Sequence, residues 1–355
     1  MRIHTLIPFL TSLQLFAAIN NCRPLNSFEQ GYELKQNQMP AAYNAPAHID
    51  VRGSWDLYFS GDYIYWQPNE ENLELGISNS NPSSTELPIS GNIANLDFKF
   101  KSGFQVGIGL CSSQDHWDFY GEYTWLTGRH TGHVTAPSEG GVAPFWGHPA
   151  NVPDFISSGK GRWKLDLNIL DLNLGRSSYI GTKLTFRPFF GARAAWINQK
   201  YVATYENAFT GLPYEVRASS TSRGVGFETG LESHWLLGCG FRLIGTAEAD
   251  LLFTSYNLRL KEEMSDFPST LAVNLRQHRI YYLRPHLYLD AGFGWGTYLS
   301  NHDYHIDFSA TYNFQTFWNQ NMFRHFVDST AVGTSLAPNG DLYIQGFTGS
   351  FRIDF

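Results

Sequence analysis

Between Leu96 and Leu110 the even positions read Leu96, Phe98, Phe100, Ser102, Phe104, Val106, Ile108 and Leu110, all but one of them apolar. The odd positions between them are Asp97, Lys99, Lys101, Gly103, Gln105, Gly107 and Gly109. Successive side chains of a strand point to opposite faces, so this stretch predicts a strand with one apolar face and one polar face. It outruns most strands of soluble proteins. Its length suits a tilted membrane strand that projects beyond the bilayer.

The pattern recurs along the chain. Trp55 to Tyr65, Trp117 to Trp125, Leu184 to Trp196, Val225 to Leu237, Phe241 to Phe253, Tyr281 to Phe293, Tyr304 to Tyr312 and Phe347 to Phe355 all alternate in the same way. From Trp163 to Ile169 the odd positions are apolar, and from Leu170 to Leu174 the even ones are. A β-bulge would account for that change of phase. About ten strands follow, or twelve if two more lie in the long loops; bacterial barrels use even numbers. The expected connections alternate in length. Long ones fall at 67–92, 129–158, 206–218, 262–272 and 319–339, short ones at 111–116, 175–182, 237–240 and 296–303. Transmembrane antiparallel β-barrels have long extracellular loops and short periplasmic turns, which would put both chain ends in the periplasm.

Composition agrees. Charged residues and aromatic residues each make up 16%, and mean hydropathy is −0.27, too polar for a bundle of membrane helices. A soluble β-sandwich also alternates, but it turns its polar face outward. Here one face of every strand is apolar-aromatic and the other is charged, a belt tolerable only in lipid.

The apolar run from Thr5 to Ile19, interrupted by Pro8 and Gln14, is too short to span a bilayer and reads as a signal peptide over residues 1–18. Its removal takes one basic residue and moves the formal charge from −7 to −8. No basic footprint for nucleic acid remains. Residues 19–52 are polar and without period, a periplasmic extension, and 53–355 form the barrel. Cys22 follows a poor lipoprotein box. Of the three cysteines, all can be isolated thiols, or Cys111 and Cys239 can pair near two turns.

Four segments carry a resemblance. Gly61 to Leu73 resembles the opening strand of the Legionella-type major outer membrane protein family, which also occurs in amoeba-associated chlamydiae. Asp166 to Arg176, with Arg187 to Ile197, resembles that family's central hairpin, and Gln345 to Phe355 its closing strand. The resemblance implies a pore-forming barrel and brings no catalytic residues or cofactors.

The polar faces then define the expected lumen lining: Lys99, Lys101, Glu122, Asp166, Arg187, Arg193, Glu228, Glu232, Arg242, Glu248, Asp250, Arg284 and Asp290. Charged walls can filter ions by sign, or pair with one another and stitch a narrow barrel shut. The first reading is a channel for small hydrophilic solutes; the second is a structural or adhesive barrel. An enzymatic barrel is the weakest reading. His302, Asp303, His305 and Asp307 cluster, but at a turn, and Ser300-Asn301-His302 lacks the spaced acidic partner of a nucleophile–base relay. In loop 129–158, Gly and Pro argue against regular structure, and Phe145-Trp146 is apolar where solvent is expected. The pair should fold over or into the lumen, as a constriction or a contact site. Phe351, Ile353 and Phe355 form the terminal assembly signal, read by the outer-membrane assembly machinery. The other expected partners are outer-membrane lipid and the solutes themselves. A homo-oligomer is left open, since no interface can be read.

Overall fold

The computed structural model describes residues 45–51, 56–112, 116–263 and 271–355. The signal segment, Cys22 and most of the extension lie outside the described residues. Ten antiparallel strands close a barrel. They are β1 (Leu57–Glu70), β2 (Lys101–Cys111), β3 (Asp118–Thr135), β4 (Ile156–Gly175), β5 (Leu184–Asn207), β6 (Pro213–Gly238), β7 (Phe241–Glu263), β8 (Leu271–Leu299), β9 (Tyr304–Asn321) and β10 (Gly340–Asp354). Each pairs with its neighbour in sequence, and β10 returns to β1 with Phe59 opposite Ile353 and Gly61 opposite Phe351. The Phe355 amide adds one more rung, donating to the Leu57 carbonyl at 3.0 Å.

Five connections lie at one end of the barrel and four short turns at the other. The tightest turn, between β6 and β7, has Cys239 at φ 54° and Gly240 at φ 82°. Two successive positive φ values are what a two-residue hairpin needs to match strand twist. At the same end, the Ala47 amide donates to the Ser177 carbonyl at 3.1 Å and His48 stacks on His116 at 4.0 Å. The chain before β1 thus lies against the turn-end rim.

Strands β5 to β8 run 23 to 29 residues, far more than the roughly 9–11 that cross a bilayer. Their surplus length shows in which face is apolar. On β6 the outward residues are Val225, Phe227, Leu231 and Trp235 near the turn end, then Arg223, Thr221, Ser219 and Arg217 beyond. On β7 they are Phe241, Leu251 and Phe253, then Ser255, Asn257, Arg259 and Lys261. The boundary follows the register across these strands, since Asn168 pairs with Trp196, Trp196 with Arg223, and Arg223 with Ser255. Val225 to Trp235 spans roughly 25 Å once strand tilt is allowed for, the height of a lipid-facing band.

This boundary explains the change of phase at Leu170, and it is not a bulge. β4 and β5 stay in register from Ser158 to Gly175. Below the boundary, Leu170 and Leu172 face lipid while Asp171 faces the lumen. Above it, Trp163, Leu165 and Leu167 are buried inside and Lys160 and Arg162 face out. The strand keeps its pleat while its surroundings exchange.

Three other expectations are corrected. The long connection at 206–218 shrinks to five residues, because β5 and β6 continue as a hairpin through it. Within 129–158, β3 continues to Thr135, and Gly141–Pro144 forms an edge strand beside Gly76–Asn79, which also pairs with Gly91–Ala94. Gly132 is there for close approach: a Cβ would stand 2.6 Å from the Asn95 carbonyl. Pro144 ends an edge strand, where a missing donor is tolerated. Finally, Cys111 is a free thiol and Cys239 is disulfide-bonded, so these two do not pair with each other.

Candidate functional site

Above the lipid-facing band the lumen is filled. Leu73 and Leu75 from the first connection, and Val142 and Trp146 from the third, enter the barrel and join wall residues Trp66, Leu126, Trp163, Leu167, Tyr201 and Ile344 in one buried cluster. Tyr201 and Tyr205 tie the plug down by donating to the Leu73 and Leu75 carbonyls at 3.3 and 2.6 Å. Trp146 is 1% exposed; its Nε1 donates to the Glu74 carbonyl at 2.9 Å, and its ring lies 4.3 Å from that of Tyr201. Its neighbour Phe145 is 38% exposed, so the pair divides between plug and surface.

Beneath the plug lies a cavity of about 920 Å³. It runs from the turn-end rim, at His48, Cys239, Tyr298 and Phe355, up to Trp66 and Ile169. Trp66 closes its roof and donates from Nε1 to the Thr348 hydroxyl at 3.0 Å.

The cavity walls are ionic. Arg193 on β5 is the hub. Its guanidinium meets Asp171 at 2.5 Å, Asp250 at 2.7 Å, Glu248 at 2.9 Å and Glu228 at 3.3 Å. His286 closes on the same group, with Nδ1 2.6 Å from Asp250. Strand register assembles this hub: Glu122 opposes Asp171, Asp171 opposes Arg193, Glu228 opposes Asp250, and Asp250 opposes His286. Nearer the rim, Arg187 forks onto Asp118 at 2.8 Å and reaches Glu232 at 3.6 Å. Arg242 donates to Asp307 at 2.7 Å, and Arg352 pairs with Asp354 while lying 3.6 Å over the Tyr58 ring. Every arginine of the cavity wall is thus engaged by carboxylate.

The expected lining residues separate by height. Glu122, Arg187, Arg193, Glu228, Glu232, Arg242, Glu248 and Asp290 border the cavity. Asp250 lies behind Arg193, with its side chain fully buried. Lys101 sits on the inner face opposite Trp66, at the level of the plug. Arg284 also lies above the cavity, stacked on Tyr282 at 4.5 Å and donating to Tyr256 Oη at 3.2 Å. Asp166 and Lys99 are corrections. Asp166 is outward, paired with the Lys164 ammonium at 2.9 Å, because it lies beyond the boundary where β4 exchanges its faces. Lys99 precedes β2 and pairs with Asp97 in solvent, both more than 60% exposed. The cluster at 302–307 divides: His302 and Asp303 are exposed on the turn, while His305 and Asp307 face inward onto Asp354 and Arg242. Sequence reasoning missed Asp62, Tyr120, Asp171 and Tyr288. Asp171 was findable, since it stands between the two leucines that follow the phase change.

A family model described as the Legionella pneumophila major outer membrane protein precursor matches residues 50–354. The chain belongs to that family. Membership places this barrel in the bacterial outer membrane and agrees with its lipid-facing band. Phe351 and Phe355 lie on that outer face, the Phe355 ring 6.0 Å from both Phe59 and Tyr304. Comparison with curated proteins gives no match. Among solved structures, the outer membrane protease OmpT from Escherichia coli is 10% identical, with 87% of this chain and 99% of that one covered at a TM-score of 0.40. The autotransporter NalP translocator domain from Neisseria meningitidis is 12% identical, with 93% and 96% covered at 0.33. A Pseudomonas aeruginosa FadL homologue is 9% identical, with 89% and 93% covered at 0.29.

Proposed function

We propose that this outer-membrane barrel is a plugged channel for small hydrophilic solutes, with its turns and C-terminus in the periplasm and its loops outside. The observation that carries the reading is the cavity itself. A channel needs a polar lumen at membrane depth, and this one is lined by Arg187, Arg193, Glu228, Glu248 and Asp290 where lipid lies outside. Leu73, Leu75, Val142 and Trp146 enter the plug from connections rather than from wall strands, so these segments can leave without unpairing the barrel. The net excess of carboxylate over arginine on the wall favours cations over anions.

The test is conductance of the purified protein in a planar bilayer. The wild type should conduct rarely and briefly. Replacing 138–150 with a Gly-Ser linker should produce steady, cation-selective unitary currents. Silence from both proteins across salts would defeat the channel reading. It would favour the second reading, a sealed structural or adhesive barrel, which the depth of Trp146 in the plug supports.

A further inference from the structure

After the arginines of the cavity wall are assigned their partners, Asp62, Glu122 and Asp290 on that wall have no basic side chain at ion-pair distance among the described residues. Glu122 is held by neutral donors, with Gln105 Nε2 at 2.9 Å and Tyr120 Oη at 2.7 Å. Asp62 stands opposite Gln105 in register, so it shares that corner with Glu122. Asp290 rises from β8, with Tyr288 Oη donating to it at 3.3 Å.

A second observation points to a ligand. The Glu228 side chain is 1% exposed, and neither of its carboxylate oxygens accepts a hydrogen bond. Its one cation, Arg193, is 3.3 Å away and shared with three other carboxylates. Asp62 Oδ1 and Asp290 Oδ1 are likewise buried without a hydrogen-bond partner. A buried carboxylate left unpaired is costly, and a donor-rich cation is what relieves it.

We infer that the cavity is a binding site for a small organic cation carrying primary ammonium or guanidinium groups. The sign of the wall excludes an anion. Among the described residues, no three His, Cys, Asp or Glu side chains converge as a metal site would require. Tyr58, Tyr120, Tyr288 and Trp66 supply aromatic surface for the alkyl stem and the charge. The volume lies within the range of small-molecule pockets, about 300–1,000 Å³. The inference gives the channel proposed above a solute class and rests on that reading only in taking the cavity as reached by solvent. Binding and conduction fail separately.

The test is isothermal titration of the folded full-length barrel in neutral detergent with 1,4-diaminobutane, and with 1,4-butanediol and succinate as the uncharged and anionic counterparts. The diamine should bind saturably and more weakly as salt is raised, and its two counterparts should not bind. Glu122→Gln and Asp290→Asn should each weaken diamine binding at least tenfold, and Glu215→Gln on the far rim should leave it unchanged. Folding of each variant is checked by its heat-modifiable migration; if Glu122→Gln does not fold, Asp62→Asn takes its place. Absence of saturable diamine binding overturns the inference and means that protons balance the excess charge. Equal affinity in folded wild type and variants, or displacement of the diamine by Mg²⁺ at equal concentration, overturns it as well. A silent bilayer with intact diamine binding defeats only the channel reading.

Discussion

Arg193 Nη1 lies 2.7 Å from Asp250 Oδ2 inside the barrel wall, the arginine side chain 7% exposed and the aspartate fully buried. Arg193 stands in register with Gly226 and, one strand further, with Leu252, so its long side chain reaches across β6 to the aspartate two residues from Leu252. The pair is the centre of an arrangement in which a single guanidinium faces four carboxylates.

Removing that guanidinium while keeping its bulk tests how much the wall depends on it. Arg193→Met leaves Asp171, Glu228, Glu248 and Asp250 without their shared cation. Breaking a buried pair from one side costs about 3–5 kcal/mol. The urea midpoint of the refolded barrel should fall accordingly, and Asp250→Asn, which leaves three carboxylates on the arginine, should cost less. Equal losses would show that the hub is not organised around Arg193.

The lipid boundary predicts a sharp contrast between two outward positions. Leu231 lies midway along the apolar stretch of β6, whereas Ser255 lies just beyond the boundary on β7. An arginine at the bilayer midplane of a barrel costs about 2–4 kcal/mol, falling toward zero at the interface. Leu231→Arg should therefore destabilise the barrel in vesicles by that amount, and Ser255→Arg by well under 1 kcal/mol. Similar costs would mean that the boundary is misplaced.

Phe355 predicts an assembly effect. Its amide extends the β10–β1 seam by one rung and its ring touches aromatic neighbours on both adjoining strands. Deleting Phe355 should lower the fraction of folded barrel in the outer membrane several-fold while leaving export of the chain unchanged. Heat-modifiable migration of membrane and periplasmic fractions measures both.

The barrel was legible because period-2 alternation records which face meets lipid, and it holds from Val225 to Trp235 with only Thr229 and Ser233 on the apolar face, and from Phe241 to Phe253 with only Ile244 and Leu252 on the other. The lumen was legible for the same reason wherever lipid lies outside: Arg193, Glu228 and Glu248 alternate with lipid-facing residues. It failed at Asp166 and Lys99 because the alternation carries no sign. A polar residue opposite an apolar one faces the lumen at membrane depth and faces solvent above it. The plug was illegible for a different reason. Ile64 and Trp66 alternate with Tyr63 and Tyr65, so both faces of β1 are apolar there, and nothing in the order of residues says that Leu73 and Leu75 return inside. Trp146 was found only as an apolar residue in a place that should have been polar.

Acid should loosen the plug. His325 lies in the connection after β9, beyond the membrane-spanning strands, with its ring 4.1 Å from that of Trp146 and its Nδ1 3.2 Å from the Phe145 carbonyl. Burial holds its pKa below the ordinary histidine value of 6.5. The released loop takes up a proton at about that ordinary value, and the docked loop does so only at lower pH. The docked state is therefore fully favoured above about pH 6.5 and loses stability as pH falls below it, because the undocked state then binds more protons. Limited proteolysis of the folded barrel should cut the 322–339 and 136–155 connections faster at pH 5 than at pH 7.5, with cleavage compared against an unfolded substrate to correct for the protease. His325→Gln, which keeps a donor but cannot titrate in this range, should flatten the difference. A pH effect of the same size in that variant would assign the loosening to another group.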